Sequence, residues 1–304
     1  MFSDFDAVAL PEMPEVPGMI SPGEGRYLYW LVSKTYAGTG AIIEVGTWLG
    51  RSTIHLVTGL RDSGMPGKLH SFDNFLWAGG SDSQKSGINL KRGDSFRAYF
   101  DKNIERFRAD IEVTEGNFED YRWDSNRPID ILFLDAPKDA QSLSTCLATF
   151  GPALVPGLSM VVSQDYQHPL SYDLPLAFHR LRGKLEMVHA VESGGTVGFR
   201  VIAPIVASDV TGGMLDWRTM DRSKIAAAWG SIHEGLEGRV LERLRSACAL
   251  HLCELGAIDD AVAMLRLVKF DSRLHAGWTN WSQAGVLRKK YAPVFDVYLQ
   301  EIKI

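Results

Sequence analysis

The residues best suited to chemistry are acids that close short apolar runs. Glu44-Val-Gly46-Thr47-Trp48-Leu-Gly50-Arg-Ser52 ends the first such run and opens an amphipathic stretch. Its spacing, acid-x-Gly-x-x-x-Gly, is not the Gly-x-Gly-x-x-Gly of a dinucleotide fold. Gly46 and Gly50 would let the backbone approach a ligand closely, and Glu44 can accept hydrogen bonds from a cationic amino group. A phosphate has no use for that acid, so the pattern calls for an amino acid with a positive centre. Further along, Phe72-Asp73-Asn74, Leu134-Asp135-Ala-Pro-Lys138 and Ser163-Gln164-Asp165-Tyr166-Gln-His168 also follow apolar runs with groups that can bind cations or move protons.

Only strand ends would bring such dispersed residues together. Ser21-Pro22-Gly-Glu24 carries an N-cap, a proline at the first helical position and a capping-box glutamate, which predicts a helix to about residue 37. Ala41 to Val45 then reads as a strand, and Ser52 to Leu60 as the helix after it. Further strands are expected at 68–72, 111–114, 129–134 and 159–163, alternating with helices at 94–107, 142–150 and 174–182. Apolar runs of this length between helices indicate a parallel sheet buried on both faces. Only Ser193-Gly194-Gly195 separates the last two strands, 185–191 and 198–203, so they should form an antiparallel edge hairpin. The expected fold is α/β: a doubly wound, mostly parallel seven-stranded sheet with an added C-terminal helical region.

The expected organisation is an N-terminal segment and helix (1–40), a sheet domain (41–204) and a helical region (207–304). In the last, Leu236, Val240, Leu241, Leu244 and Cys248 share one helical face, Gly256 reads as a C-cap, and Asp259 opens a second helix. The pair is similar to one tetratricopeptide unit, but no second copy follows. Residues 76 to 93 read as a long loop, either an active-site lid or simply a mobile connection.

Composition narrows the class. The 304 residues are 45% hydrophobic and 23% charged with a net charge of −5, which argues against a general nucleic-acid or anionic-membrane surface. Cys146, Cys248 and Cys253 form no Cys-x-x-Cys pair, so neither a disulfide framework nor a structural zinc site is suggested. The acidic first residues lack signal-peptide character, and no apolar run approaches the roughly 18 residues of a membrane span. A cytoplasmic protein is expected.

The acid-Gly-x-x-x-Gly turn resembles the first motif of class I S-adenosylmethionine-dependent methyltransferases, and the resemblance extends over residues 20–204. It implies a Rossmann-like methyltransferase fold and S-adenosylmethionine as cofactor, held by Glu44, Gly46, Thr47, Trp48, Gly50, Ser52 and Asp135, with Asp73 against the ribose hydroxyls. It further implies that Asn117, after the third strand, contacts the adenine edge. Trp48 has a second reading, as core beside the turn. Asp135-x-x-Lys138 resembles the stretch of catechol O-methyltransferases in which the aspartate binds Mg²⁺ and the lysine is general base. Gln164-Asp165-Tyr166 is similar to the Asp-Asp-Tyr of macrocin-type sugar O-methyltransferases.

On that resemblance the metal ligands would be Asp135, Gln164 and Asp165, with Gln164 supplying one charge less than the acid it replaces. Without a metal, Asp165 or His168 would orient or deprotonate the acceptor, with Lys138 as a further base; His168 also has a plain reading as a loop histidine. The expected function is an O-methyltransferase acting on a hydroxyl of a small molecule or saccharide. Its rivals are a non-catalytic scaffold on the same fold, which Gln164 favours, and a nicotinamide-dependent oxidoreductase, which the missing Gly-x-Gly-x-x-Gly disfavours. Trp278, Trp281 and the stretch Ile225 to Trp229 could either serve a homodimer or cap the sheet of their own chain.

Overall fold

A computed structural model describes residues 5–79 and 86–302; residues 80–85 of the expected loop lie outside the described residues. Ser21 caps α1 (Pro22–Thr35) by the full capping box: its hydroxyl accepts from Glu24 N and its own amide donates to Glu24 Oε2. Glu24 also has a use that the box does not require. Its Oε1 accepts from the amides of Gly195 and Thr196 and from the Thr196 hydroxyl, so the first helix is pinned to the edge hairpin.

The sheet contains β1 (Ala41–Val45), β2 (Leu69–Asp73), β3 (Ile111–Glu115), β4 (Ile129–Leu134), β5 (Met160–Ser163), β6 (Leu185–Ala190) and β7 (Val197–Val201). Their spatial order is β3-β2-β1-β4-β5-β7-β6, and only the pairings of β7 with β5 and β6 are antiparallel. The expected sheet and its edge hairpin are both present. Order reverses beside β1, between β2 and β4, which is where open α/β sheets leave a crevice at the carboxyl ends of their strands.

Alternation along the strands sorts side chains between two cores. Ile42, Ile131, Phe133 and Val162 face α1 and α2 (Arg51–Ser63). Ile43, Val45, Leu132, Leu134 and Val161 face the other way, toward α4 (Ala140–Phe150) and α5 (Asp173–Arg180). Between these lies α3 (Arg97–Asn103), shorter than the expected 94–107 because a 3₁₀ segment takes over from Glu105.

The C-terminal helices belong to the second core. They are α6 (Arg222–His233), α7 (Gly238–Glu254), α8 (Ile258–Arg266), α9 (Ser272–Gln283), α10 (Gly285–Lys290) and α11 (Ala292–Val297). Gly256, with φ +71°, turns the chain from α7 into α8 in the left-handed conformation that glycine tolerates best. Leu244, Ala247, Leu250, Leu265, Trp278 and Phe295 continue the cluster that starts on the sheet. Ile225, Trp229 and Trp278, weighed above as a dimer surface, are buried within their own chain, so their apolar area is spent on this core. No helix among the described residues is long and apolar enough to cross a membrane.

Candidate active site

The glycine turn is built from inside. Gly46 and Gly50 have φ of +94° and +93°, and Trp48 between them has φ +45°. A Cβ at Gly46 would lie 2.6 Å from Ala136 N, so the glycine is needed where the turn packs on the end of β4. Glu44 is fully buried, and its carboxylate accepts from Ser52 Oγ (2.6 Å), Thr53 Oγ1 (2.8 Å) and Ser71 Oγ (2.8 Å). It therefore ties β1 to β2 and to the start of α2, and Ser52 serves it rather than facing a ligand. Burial pushes the Glu44 carboxyl up to about 7 despite the three hydroxyls, with Asp135 adding to the rise.

Asp73 plays a similar part at the end of β2. It accepts from Thr47 N (2.7 Å), Thr47 Oγ1 (3.2 Å) and Phe75 N (2.7 Å), while burial holds its carboxyl above the usual carboxylate range. Thr47 and Trp48 are buried. Trp48 packs against Trp77 (ring centroids 4.5 Å) and Phe96 (4.8 Å), which is the core reading of this residue. The indole N–H groups of Trp48 and Trp77 are both buried without a partner among the described residues. Asn117 is exposed; its amide donates to Asp120 Oδ2, and its side chain lies 3.5 Å from that of Asn74.

A cavity of about 670 Å³ opens at the carboxyl ends of β4 and β5, and Asp135, Lys138, Gln164, Asp165 and His168 line it. Arg51, the first residue of α2, brings it to the edge of the glycine turn. Of the residues expected to hold the cofactor, only Asp135 reaches the lining; Glu44, Thr47 and Asp73 lie behind it. All of the residues expected to act on the acceptor are brought together there.

Lys138 donates to the carbonyl and carboxylate of Asp135 and to Asp165. Burial raises the Asp135 carboxyl to about 6, with Lys138 opposing and Asp165 adding. Burial alone would lower the Lys138 ammonium, but the two carboxylates outweigh it and hold the lysine well above its usual value. Lys138 thus stands as a charged donor shared between the two acids.

His168 lines the same cavity. Burial holds its imidazole below the usual 6.5, with Lys138 and Arg243 adding and Asp165 opposing. Its backbone amide donates to Asp165 O and its ring meets the edge of Trp281 at 5.4 Å. No hydrogen bond from protein occupies its ring nitrogens among the described residues, so a neutral imidazole faces the cavity.

The three expected metal ligands do not fit a resident divalent ion. With its amide oriented to satisfy its neighbours, Gln164 turns nitrogen toward the acids and donates to Asp165 Oδ1 (2.8 Å) and Asp135 Oδ1 (3.1 Å). The Lys138 ammonium supplies the positive charge between the two carboxylates. Mg²⁺ takes oxygen donors in a strict octahedron, so it would have to displace Lys138 and reverse the amide.

The far wall comes from residues whose role the sequence did not reveal. Arg243 on α7, Arg273 on α9 and Trp281 on α9 line the same cavity, as does Gly194 of the edge hairpin. A signal existed for Arg243: it lies three residues after Val240 and four before Ala247, on the buried face of an amphipathic helix.

Residues 43–166 match the family described as Methyltransferase domain. That stretch of the chain is similar to a methyltransferase domain. The matched stretch runs from β1 to the turn after β5 and holds every expected site residue except His168. Among curated proteins none matches. Solved structures similar to the chain include the O-methyltransferase NovP, at 17% identity and TM-score 0.48, covering 62% of this chain and 84% of that one. Apo CalS11, a TDP-rhamnose 3'-O-methyltransferase of calicheamicin biosynthesis, is 18% identical at TM-score 0.44, covering 58% and 77%. An O-methyltransferase from Bacillus cereus in complex with SAH is 18% identical at TM-score 0.39, covering 61% and 83%. Within the matched stretch the cavity's polar groups sit mainly at the ends of β4 and β5, while Arg243, Arg273 and Trp281 on the C-terminal helices close the opposite side.

Proposed function

We propose that the protein transfers a methyl group from S-adenosylmethionine to a hydroxyl of a small molecule or saccharide. The observation that carries this reading is the convergence of Lys138, Asp165 and His168 in one cavity beside the glycine turn. The groups there suit a cationic amino acid: Asp135 can face a positive centre and Arg51 can bind a carboxylate, while the indole N–H groups of Trp48 and Trp77 nearby are buried donors without an acceptor among the described residues. Gly46, Thr47, Gly50 and Asp73 would act by shaping the turn beneath the cofactor, and Asn117 by meeting the adenine edge. Glu44 and Ser52 would hold that turn together without touching ligand.

S-adenosylmethionine, when bound, supplies an electrophilic methyl carbon. The chain must then hold an acceptor oxygen in line with it and take away the proton, and positioning alone is worth roughly 7–11 kcal/mol. In our reading His168 accepts the hydroxyl proton. Lys138, kept charged by Asp135 and Asp165, stabilises the negative charge that develops on the acceptor oxygen. Asp165 orients Lys138, and Gln164 donates to both acids. No divalent ion takes part in this scheme.

A second reading, a non-catalytic scaffold on the methyltransferase fold, is favoured by the burial of Thr47 and Trp48 and by the internal use of Glu44 and Asp73. Incubation with methyl-labelled S-adenosylmethionine and a panel of phenolic and sugar acceptors separates the two. The catalytic reading requires a labelled methyl ether that His168→Gln fails to form; the scaffold reading requires cofactor binding with no labelled product.

A further inference from the structure

The cationic groups of the cavity are not all balanced. Lys138 is paired with Asp135 and Asp165. Glu24, which also borders the cavity, is taken up by four donors of α1 and the edge hairpin. Asp271, the acid beside Arg243 and Arg273, forms an ion pair with Arg239 at 2.8 Å. Neither Arg243 nor Arg273 has a carboxylate within 4 Å among the described residues, yet both line the cavity.

Their protein contacts hold them without satisfying them. Arg243 uses one nitrogen, Nη1, to donate to Gln167 Oε1 (3.2 Å), to the carbonyl of Glu192 (2.8 Å) and to that of Gly194. Gln167 is itself fully buried and fixed by the carbonyls of Val191 and Thr196. Arg273 Nη1 donates to the carbonyl of Ser193. The remaining N–H groups of both guanidiniums make no hydrogen bond to protein among the described residues. A guanidinium locked at one nitrogen and open at the others is prepared for a planar or tetrahedral anion.

We propose that the methyl acceptor carries an anionic group, a carboxylate or a phosphate, and that Arg243 and Arg273 bind it. The inference rests on the O-methyltransferase reading above and adds the substrate class. The acceptor spans from Lys138 and His168, where its hydroxyl reacts, to α7 and α9, where its anion is held. Trp281 and Leu274 offer it an apolar surface between the two. Arg51, beside the glycine turn, is the separate cation for the cofactor's own carboxylate.

The test uses the full chain and two paired probes: 3,4-dihydroxybenzoate against catechol, and a nucleoside-diphosphate sugar against the free sugar. Titration calorimetry in the presence of S-adenosylhomocysteine is run on wild type, Arg273→Gln and Arg243→Lys. The expected result is that one anionic probe binds at least tenfold tighter than its neutral partner, and that each variant weakens it roughly ten- to a hundredfold. The pair that discriminates says whether the anion is a carboxylate or a phosphate. Affinity for S-adenosylhomocysteine should stay within about twofold in both variants, which also shows that they fold. Equal affinity for charged and neutral probes, binding by neither charged probe, or anion binding unchanged in both variants overturns the proposal. A matching loss of S-adenosylhomocysteine affinity also overturns it, since the arginines would then serve the cofactor. If wild type binds no S-adenosylhomocysteine, the methyltransferase reading itself has failed, a result distinct from all of these.

Discussion

Lys138 donates to Asp165 across the gap between β4 and β5 while also reaching the carbonyl and carboxylate of Asp135. One ammonium therefore holds two strand-end acids together, and the acids keep it charged. In the proposed scheme Lys138 therefore serves charge stabilisation and His168 takes the proton. Replacing Lys138 by Ala should lower kcat by roughly 10²–10³ with little change in cofactor affinity, as for loss of an oxyanion donor. Lys138→Arg, which keeps the charge, should recover part of the rate; a base role would predict no recovery. Steady-state kinetics on both variants checks this.

The pH profile should follow His168. Its imidazole is held below 6.5, so the neutral, proton-accepting form persists at lower pH than for a free histidine. Activity should be flat from pH 7 to 8 and fall as pH drops through a value below 6.5. His168→Gln should cost roughly 10²–10⁴ in rate and abolish that acid limb. An acid limb that persists in His168→Gln would assign the titration to another group.

Chelation gives a separate reading of the strand-end acids. Because the Lys138 ammonium and the Gln164 amide answer Asp135 and Asp165, activity should survive EDTA, and added Mg²⁺ should not raise it. Loss in EDTA with recovery on Mg²⁺ would mean that the lysine and the amide yield to an ion.

Glu44 makes a prediction about stability. Its carboxyl titrates near 7 when folded against about 4.5 when unfolded, so between those values the folded state binds the proton and the unfolded state does not. This group's contribution is most favourable below pH 4.5 and is lost as pH rises through 7, a span worth about 3 kcal/mol at 1.36 per unit. Glu44→Gln should flatten that fall, while Glu44→Ala, which leaves three buried hydroxyls without their acceptor, should destabilise by about 2–5 kcal/mol. Denaturant melts at pH 5, 6.5 and 8 measure both.

The sheet was legible because strands buried on both faces leave continuous apolar runs, and the short Ser193-Gly194-Gly195 link forces an antiparallel partner. The Ser21 capping box was equally direct, since it depends on residues three apart. The uses of Glu44 and Asp73 were not legible, because acids at strand ends look alike whether they face a ligand or the hydroxyls and amides of their own turn. The far wall was hidden for another reason. Arg273 and Trp281 meet the cavity only through the packing of α9 on the sheet core, and nothing local marks them. Arg243, a charge on a buried helical stripe, was the exception.

The measurement that bears most directly on the central claim is calorimetric titration of S-adenosylhomocysteine into the purified full chain, followed by addition of labelled S-adenosylmethionine with acceptor. The account predicts saturable one-to-one binding, weakened in Asp135→Asn and retained in His168→Gln, with methyl transfer lost in the latter. Absence of heat and of thermal stabilisation at millimolar ligand would contradict it.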